Sequence, residues 1–308
     1  MGLGLGAIQN LLELNSQGLL KDKTNVLDIG SQEIHISGKD LKELFENAGL
    51  EKNLVDTFPN INNFPSKPRP SSKYLYNSFG LNNYECLDIN GEHGAIKFDL
   101  NHPFNDETKF EKFDIVTDFG SCEHVYNIGE TYKTIHKLTK TNGLIIIIQS
   151  LFQGNGYFTL EDTFLEGLAA ANDYKILHSS YVITTGEKSE NGSYLQFHIP
   201  RHKKLLKVMD LTKLNGNNSE QLEICMVMQK TSKKEFKIPY QGDLMSKNYN
   251  FSGFNKIFKK EPMSHLYIPS SKMQIEEASI VEIVKALFKW IHKKIKLFIK
   301  KIIMKLKS

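Results

Sequence analysis

Cysteine, arginine and glycine are each scarce where they would be most informative. The three cysteines, Cys86, Cys122 and Cys225, are too few and too scattered in 308 residues for a disulfide framework or a zinc knuckle. A reducing cytoplasm is therefore the expected location, and no metal site is expected. Arg69 and Arg201 are the only arginines, so bidentate phosphate clamping has little raw material. No apolar run is long enough for a membrane span, because lysines interrupt the C-terminal stretch every few residues. The opening MGLGLGAIQNLLELN has no basic region ahead of an apolar core, and Gly6 stands where an N-myristoylation signal needs Ser or Thr. Neither export nor acylation is expected.

Glycine is missing from one particular place. In NVLDIGSQEIHIS, residues 25–37, an apolar run ends at Gly30, and Ser31, Gln32 and Glu33 follow where nucleotide-binding loops usually carry more glycine.

The composition, 40% hydrophobic and 24% charged, is ordinary for a globular chain with a substantial core. The net charge of +4 hides an asymmetry: residues 281–308 carry nine lysines against Glu282, a local +8, which leaves −4 for residues 1–280. A mildly acidic body argues against nucleic-acid binding.

Apolar spacing predicts helices over residues 7–20, 39–48, 71–79, 127–139 and 161–172. Strands are predicted at 25–29, 84–89, 113–117, within 144–150, at 174–185 and at 222–230, with Asn142-Gly143 as the cap of the preceding helix. Residues 58–72, with four prolines, read as a long loop, and the stretch between 185 and 222 as an insertion or a pair of loops. Strands alternating with helices indicate βαβ units, hence an α/β fold: a Rossmann-like, open, mostly parallel sheet with helices on both faces. In such sheets ligands lie beyond the carboxyl ends of the strands, where Asp28/Gly30, Asp88, Asp99 and Asp118/Gly120 all fall. Three segments are expected: a domain over 1–231, an irregular linker or insertion over 232–272, and a basic amphipathic helix over 273–308.

An acid after the second strand suits a ribose diol, a glycine turn after the first admits backbone close to a polar ligand, and an acid after a third turn can reach an adenine amino group. In that order, VLDIGS, YECLDIN, IKFDLN and FDIVTDFGSCEHVYN with TNGLIIII resemble the motifs of class I S-adenosylmethionine-dependent methyltransferases over roughly residues 22–185. The resemblance implies S-adenosyl-L-methionine as cofactor, with Gly30 at its methionine end, Asp88 at the ribose, Asp99 at the adenine, and Asp118, Phe119 and Gly120 on the methyl-transfer side. Asp28, Ser31, Ile89 and Leu100, their neighbours in these motifs, complete the implied cofactor-binding set. The EH pair, Glu123-His124, also occurs in a subset of the family proposed to act on small molecules and sugars. The chain departs from the family's first loop, where Gln32 and Ile34 replace glycines.

Methyl transfer to a hydroxyl needs a base, and His124, with an imidazole that titrates near neutrality, is the candidate; Glu123 is a polar contact beside it. The other histidines show no metal-ligand spacing. Residues 280–308 place Ile280, Val284, Leu287, Ile291, Ile295 and Ile299 at three and four spacing with lysines between, an amphipathic pattern suited to an anionic membrane surface. The expectation is a cytoplasmic enzyme, peripheral on the inner face of a membrane, that methylates a small molecule or sugar such as a surface-polysaccharide or lipid-linked precursor. A non-catalytic Rossmann-like binding or scaffold protein with a membrane-associating tail is the alternative. A nicotinamide enzyme is disfavoured by the missing glycine-rich pyrophosphate loop.

Overall fold

A computed structural model describes residues 2–58, 61, 69–152, 154–201 and 220–241. The basic segment 273–308, most of the proline-rich stretch 58–72 and the linker beyond 241 lie outside the described residues.

Each predicted helix forms close to its expected bounds. The helices are α1 (Leu5–Ser16), α2 (Gly38–Asn47), a short α3 (Glu51–Thr57), α4 (Lys73–Ser78), α5 (Ile128–Leu138) and α6 (Asp162–Ala171). The strands are β1 (Gly2–Leu3), β2 (Asn25–Ile29), β3 (Glu33–Ile34), β4 (Asn83–Leu87), β5 (Phe113–Phe119), β6 (Thr139–Phe152), β7 (Lys175–Lys188), β8 (Tyr194–Pro200) and β9 (Glu220–Gln229). Strands β1 and β3 pair alone, and the other seven form one sheet in the order β4-β2-β5-β6-β9-β7-β8. Strands β4, β2, β5 and β6 are parallel; β9 runs against both β6 and β7, so β7 points with the first four again. The Rossmann-like, mostly parallel architecture is therefore present. One reversed strand wedged into it distinguishes it from the uniformly parallel sheet that binds dinucleotides.

Alternation along the strands divides the core between the two faces of the sheet. Val26, Ile115, Ile146, Cys225 and Val227 face α1 to α4, whereas Leu27, Val116, Ile145, Ile147 and Met226 face α5 and α6. The first residues of the expected linker belong to this body: Phe236 packs on the second cluster, and the Lys237 N–H donates to Asn172 Oδ1 at 2.8 Å.

Two expectations need correction. Asn142-Gly143 does not cap α5, which ends at Leu138; Thr139 already pairs with Phe113, and Asn142 (φ +64) makes a bulge inside β6. The bulge is tied down by Asn142 N–H donating to Lys230 O at 2.7 Å and Lys230 N–H to Gly143 O at 3.0 Å. Second, the stretch after β7 holds a strand, β8, antiparallel to β7. Its inward face carries Gln196 and His198, which meet α1 through polar contacts: Gly6 N–H donates to Gln196 Oε1 at 2.9 Å, and His198 Nε2–H to Gly6 O at 2.7 Å. Leu195, Phe197 and Ile199 alternate with Gln196 and His198, a strand pattern set inside a stretch rich in Asn, Gly and Lys.

Candidate cofactor crevice

Strand β2 has β4 on one side and β5 on the other, so the chain changes direction across the sheet at β2, and a crevice opens past its carboxyl end. The loop after β2 turns at Gly30, where φ is +86. A Cβ there would stand 2.3 Å from Ser121 Oγ, so glycine is required for conformation and for space alike. Its N–H donates to Leu87 O at 2.8 Å, which holds the turn against the end of β4.

The acid after β4 lies beside this turn. Ser31 donates to Asp88 Oδ2 through its N–H at 2.8 Å and its hydroxyl at 2.9 Å, and Asn90 N–H donates to Asp88 Oδ1 at 3.0 Å. A carboxylate has about four acceptor positions, so Asp88, half-buried, can still accept from a diol. Ile89, beside it, is 68% exposed, an apolar surface at the rim that a flat ring could cover. Residues 96–98 run along the open edge of β4 through Ile96 N–H to Cys86 O at 2.8 Å and Phe98 N–H to Asp88 O at 3.3 Å. That pairing brings Asp99 to the same end of the sheet. Asp99 accepts from Asn101 N–H at 3.0 Å and Asn101 Nδ2 at 2.8 Å, which hold its carboxyl below the usual range. Leu100, the next residue, is buried in the second core cluster.

The third loop, after β5, closes the crevice from the other side. Asp118 turns inward: Oδ1 accepts from the N–H groups of Ser121 and Cys122 at 3.0 and 3.1 Å, and Oδ2 from Gln149 Nε2 at 2.6 Å. It is 1% exposed, and burial pushes its carboxyl up to about 6 against those hydrogen bonds. Its place is under the loop, where it shapes the turn through Phe119, which is buried, and Gly120, with φ +81. Asp28 likewise faces away from the crevice, into the α4 side of the core, where four hydroxyl groups surround it.

Glu123 and His124 lie together on a single 3-10 turn, Cys122–His124. Glu123 is buried, with Oε2 accepting Ser150 N–H at 2.9 Å and Oε1 3.5 Å from His124 Nε2. The His124 side chain is 35% exposed, so one edge of the imidazole is held and the rest is open.

Comparison with known proteins adds fold neighbours of low identity. No family model and no curated protein matches the chain. Among solved structures, a candidate methyltransferase of Bacillus halodurans C-125 is 15% identical, covers 72% of this chain and 99% of its own, and gives a TM-score of 0.36. A SAM-dependent methyltransferase of Thermotoga maritima is 10% identical, with coverage of 72% and 91% and a TM-score of 0.35. The O-methyltransferase of a Brevibacillus brevis trans-AT PKS multienzyme, in complex with S-adenosyl-L-homocysteine, is 12% identical, with coverage of 77% and 81% and a TM-score of 0.34. At these levels the likeness carries no argument about activity, and the site's own residues must carry it.

Two features of the crevice come from contacts that the sequence does not show: the direction of the Gln32 side chain and a pair of tyrosines. Gln32, fully buried, donates from Nε2 to Ile29 O at 2.8 Å and Ser121 Oγ at 2.7 Å, which bridges the first and third loops, while its Oε1 is buried with no hydrogen-bond partner. The amide thus occupies the seam that glycine would leave open. Beyond the third loop, Tyr126 and Tyr157 pack edge to face at 5.9 Å, although they are 76% and 69% exposed. The backbone brings them together: Tyr157 N–H donates to Glu123 O at 2.7 Å, and only glycine fits at 156, where a Cβ would stand 2.4 Å from that same oxygen. Tyrosine after an EH pair and tyrosine in a glycine loop carry no period that links them.

Proposed function

We propose that this chain is an S-adenosylmethionine-dependent methyltransferase acting on a small molecule or a sugar. The observation that carries the reading is the pairing of Ser31 with Asp88 at 2.8 and 2.9 Å, which sets a partly exposed carboxylate against a glycine turn at the switch point of the sheet. Residues of the crevice fit the cofactor on its nucleoside side: Asp88 would take the ribose hydroxyls, Ile89 would cover the adenine face, and Asp99 or Asn101 would reach its amino group. Gly30 and the backbone around it would face the methionine end. A dinucleotide fits less well, because α2 begins at Gly38 and no helix N-terminus follows the glycine turn directly to receive a pyrophosphate. The bound sulfonium supplies the methyl group, and the protein's part is alignment and proton removal.

His124 is the base in this proposal. Glu123, anchored on Ser150 N–H, holds one imidazole nitrogen and leaves the other edge open to an acceptor hydroxyl. The Tyr126–Tyr157 pair at the same mouth offers flat apolar faces, which favours a ring-shaped acceptor. Once an acceptor is in hand, His124→Ala is expected to lower kcat by roughly 10²-fold or more with little change in KM. An unchanged kcat would exclude His124 as the base.

A second reading, a binding module that no longer admits the cofactor, is favoured by one observation: the buried Gln32 amide spanning the crevice. Gln32→Gly separates the two. If wild type binds cofactor, the substitution leaves affinity within about threefold; a gain of about 10²-fold from negligible binding supports the blocked crevice.

The membrane is a further part of the proposal and rests on the charge pattern of residues 280–308. No helix among the described residues is long and apolar enough to cross a bilayer, which leaves surface attachment as the mode to test. Each lysine near an anionic surface contributes on the order of 1 kcal/mol. The full chain is expected to float with phosphatidylserine vesicles at low salt, and a chain truncated after residue 274 to remain in the soluble fraction. Equal flotation of the two would exclude the tail as the anchor and leave the cytoplasmic, membrane-peripheral placement without support.

A further inference from the structure

Strands β7, β8 and β9 bring two histidines and a cysteine to one point under α1. His178 and Ser180 are two apart on β7, so they share a face; Cys225 on β9 is the register partner of Ser180, and His198 on β8 is the partner of Val182, one step along that face. One ligand atom from each of His178, His198 and Cys225 lies within 4.8 Å of the others. His178 and Ser180 are 1% exposed, His198 is 4% exposed and Cys225 is fully buried. Spacings of 20 and 27 residues along the chain match no ligand motif, which is why the cluster is invisible before the strands pair.

The hydrogen bonds fix the ring states. His198 Nε2 is 2.7 Å from Gly6 O, a carbonyl that can only accept, so Nε2 carries the proton and the Nδ1 lone pair points into the cluster. A ligating imidazole held by a backbone carbonyl through its other nitrogen is the usual second layer of a metal site. Ser180 Oγ stands between the rings, 2.8 Å from His198 Nδ1 and 2.9 Å from His178 Nε2. We propose that His178, His198 and Cys225 form a zinc site that ties β7, β8 and β9 together beneath α1, the metal taking the place between the rings that Ser180 Oγ now bridges and Ser180 turning to the fourth position.

Two nitrogens and one sulfur are a donor set that Zn²⁺ accepts in tetrahedral geometry. Bonds of about 2.0 Å to nitrogen and about 2.3 Å to sulfur put donors about 3.3 to 3.6 Å apart, so the side chains need to close by about 1 Å. On metal uptake the Cys225 S–H bond breaks, a Zn–S bond forms, and one proton leaves to solvent, while the His178 proton moves from Nε2 to Nδ1 with no net change of charge.

The test uses the full chain, treated with EDTA and then titrated with Zn²⁺ and, separately, Co²⁺. About one tightly held equivalent of zinc, a near-ultraviolet thiolate-to-cobalt band, and a melting temperature that rises with free zinc are expected. The band is expected to disappear in Cys225→Ser and the zinc equivalent in His178→Gln. The two variants remove different donors, so failure of one to fold leaves the other decisive. Uptake below about a tenth of an equivalent by the wild-type chain, absence of the cobalt band, or a band and stoichiometry that survive in the folded variants would each overturn the site. The cofactor titration of wild type reads separately, since none of the three ligands lies in the crevice.

Discussion

Replacing Asp88 by alanine is expected to weaken S-adenosylhomocysteine binding by about 10²-fold or more, measured by calorimetric titration of the purified chain with NAD as control. A carboxylate that accepts two hydroxyl groups of a ribose makes charge-assisted hydrogen bonds, each contributing roughly 1.5 to 3 kcal/mol. Removing both corresponds to at least about 3 kcal/mol, and every 1.4 kcal/mol is tenfold. The change also releases Ser31, whose N–H and hydroxyl both donate to Asp88, so the first loop keeps only the Gly30 N–H to Leu87 O bond at the end of β4. Asp88→Asn keeps an acceptor oxygen but loses the charge, and its affinity is expected to fall between the other two. Circular dichroism should show all three proteins equally folded, because Asp88 is only half-buried and its partners Ser31 and Asn90 belong to the loops at the strand ends. Equal affinity in wild type and Asp88→Ala would remove Asp88 from the site. No binding of S-adenosylhomocysteine by wild type would remove the proposed function itself and leave the binding-module reading.

The carboxyl ends of strands were legible in the sequence because buried parallel strands leave near-continuous apolar runs broken by an acid or a glycine. Asp88 and Gly30 meet as that pattern implies. Asp28 and Asp118 show its limit: a strand-end acid in the string can point to either side of the backbone, and only the neighbours decide. Asp28 meets four hydroxyls in the core, and Asp118 meets two turn N–H groups and an amide. The strand β8 was passed over because its five alternating residues, Leu195 to Ile199, sit inside a stretch rich in Asn, Gly and Lys, and the His178–His198–Cys225 cluster was hidden because it depends on register between strands far apart in the chain. Gln32 was recognisable as a departure from the glycine pattern, but the direction of its side chain follows from Ser121, 89 residues away.

Asp28→Ala is expected to destabilise the fold by about 3 to 5 kcal/mol, read from urea unfolding at about pH 4, where the folded state keeps the carboxyl protonated. Oδ1 accepts from Tyr76 OH at 2.7 Å and from Thr117 Oγ1; Oδ2 accepts from Tyr84 OH at 3.2 Å and from Ser72 Oγ. These donors come from the start of α4, α4 itself, β4 and β5, so one fully buried carboxyl joins four segments to β2. Removing it leaves Ser72, Tyr76 and Thr117 only the longer bonds they also make, to Tyr84 OH at 3.1 Å, Thr117 Oγ1 at 3.3 Å and Leu27 O at 3.4 Å, in a space beside the Tyr76 and Tyr84 rings, 5.8 Å apart. Burial dominates the titration of Asp28 and raises it from 3.8 to about 6, against the four hydrogen bonds that favour the charged form. The folded state therefore holds a proton that the unfolded state has released between about pH 4 and 6. The contribution of this group to stability is fully present below the unfolded value and is lost as pH rises through about 6, a change on the order of 3 kcal/mol. Asp118, raised to about 6, and Glu223, raised to about 7, add slopes of the same sign, so Asp28 is isolated by difference. In Asp28→Asn, which cannot titrate, the unfolding free energy is expected to fall less steeply with pH than in wild type across that window. Parallel profiles in the two proteins would show that Asp28 does not change its protonation on folding. A destabilisation below about 1 kcal/mol in Asp28→Ala would show that the hydroxyls find other acceptors. Either way the crevice is expected to keep its cofactor affinity in any Asp28 variant that folds, because the carboxyl bonds to Ser72, Tyr76, Tyr84 and Thr117 and shares no partner with Asp88, serving the scaffold that positions the site.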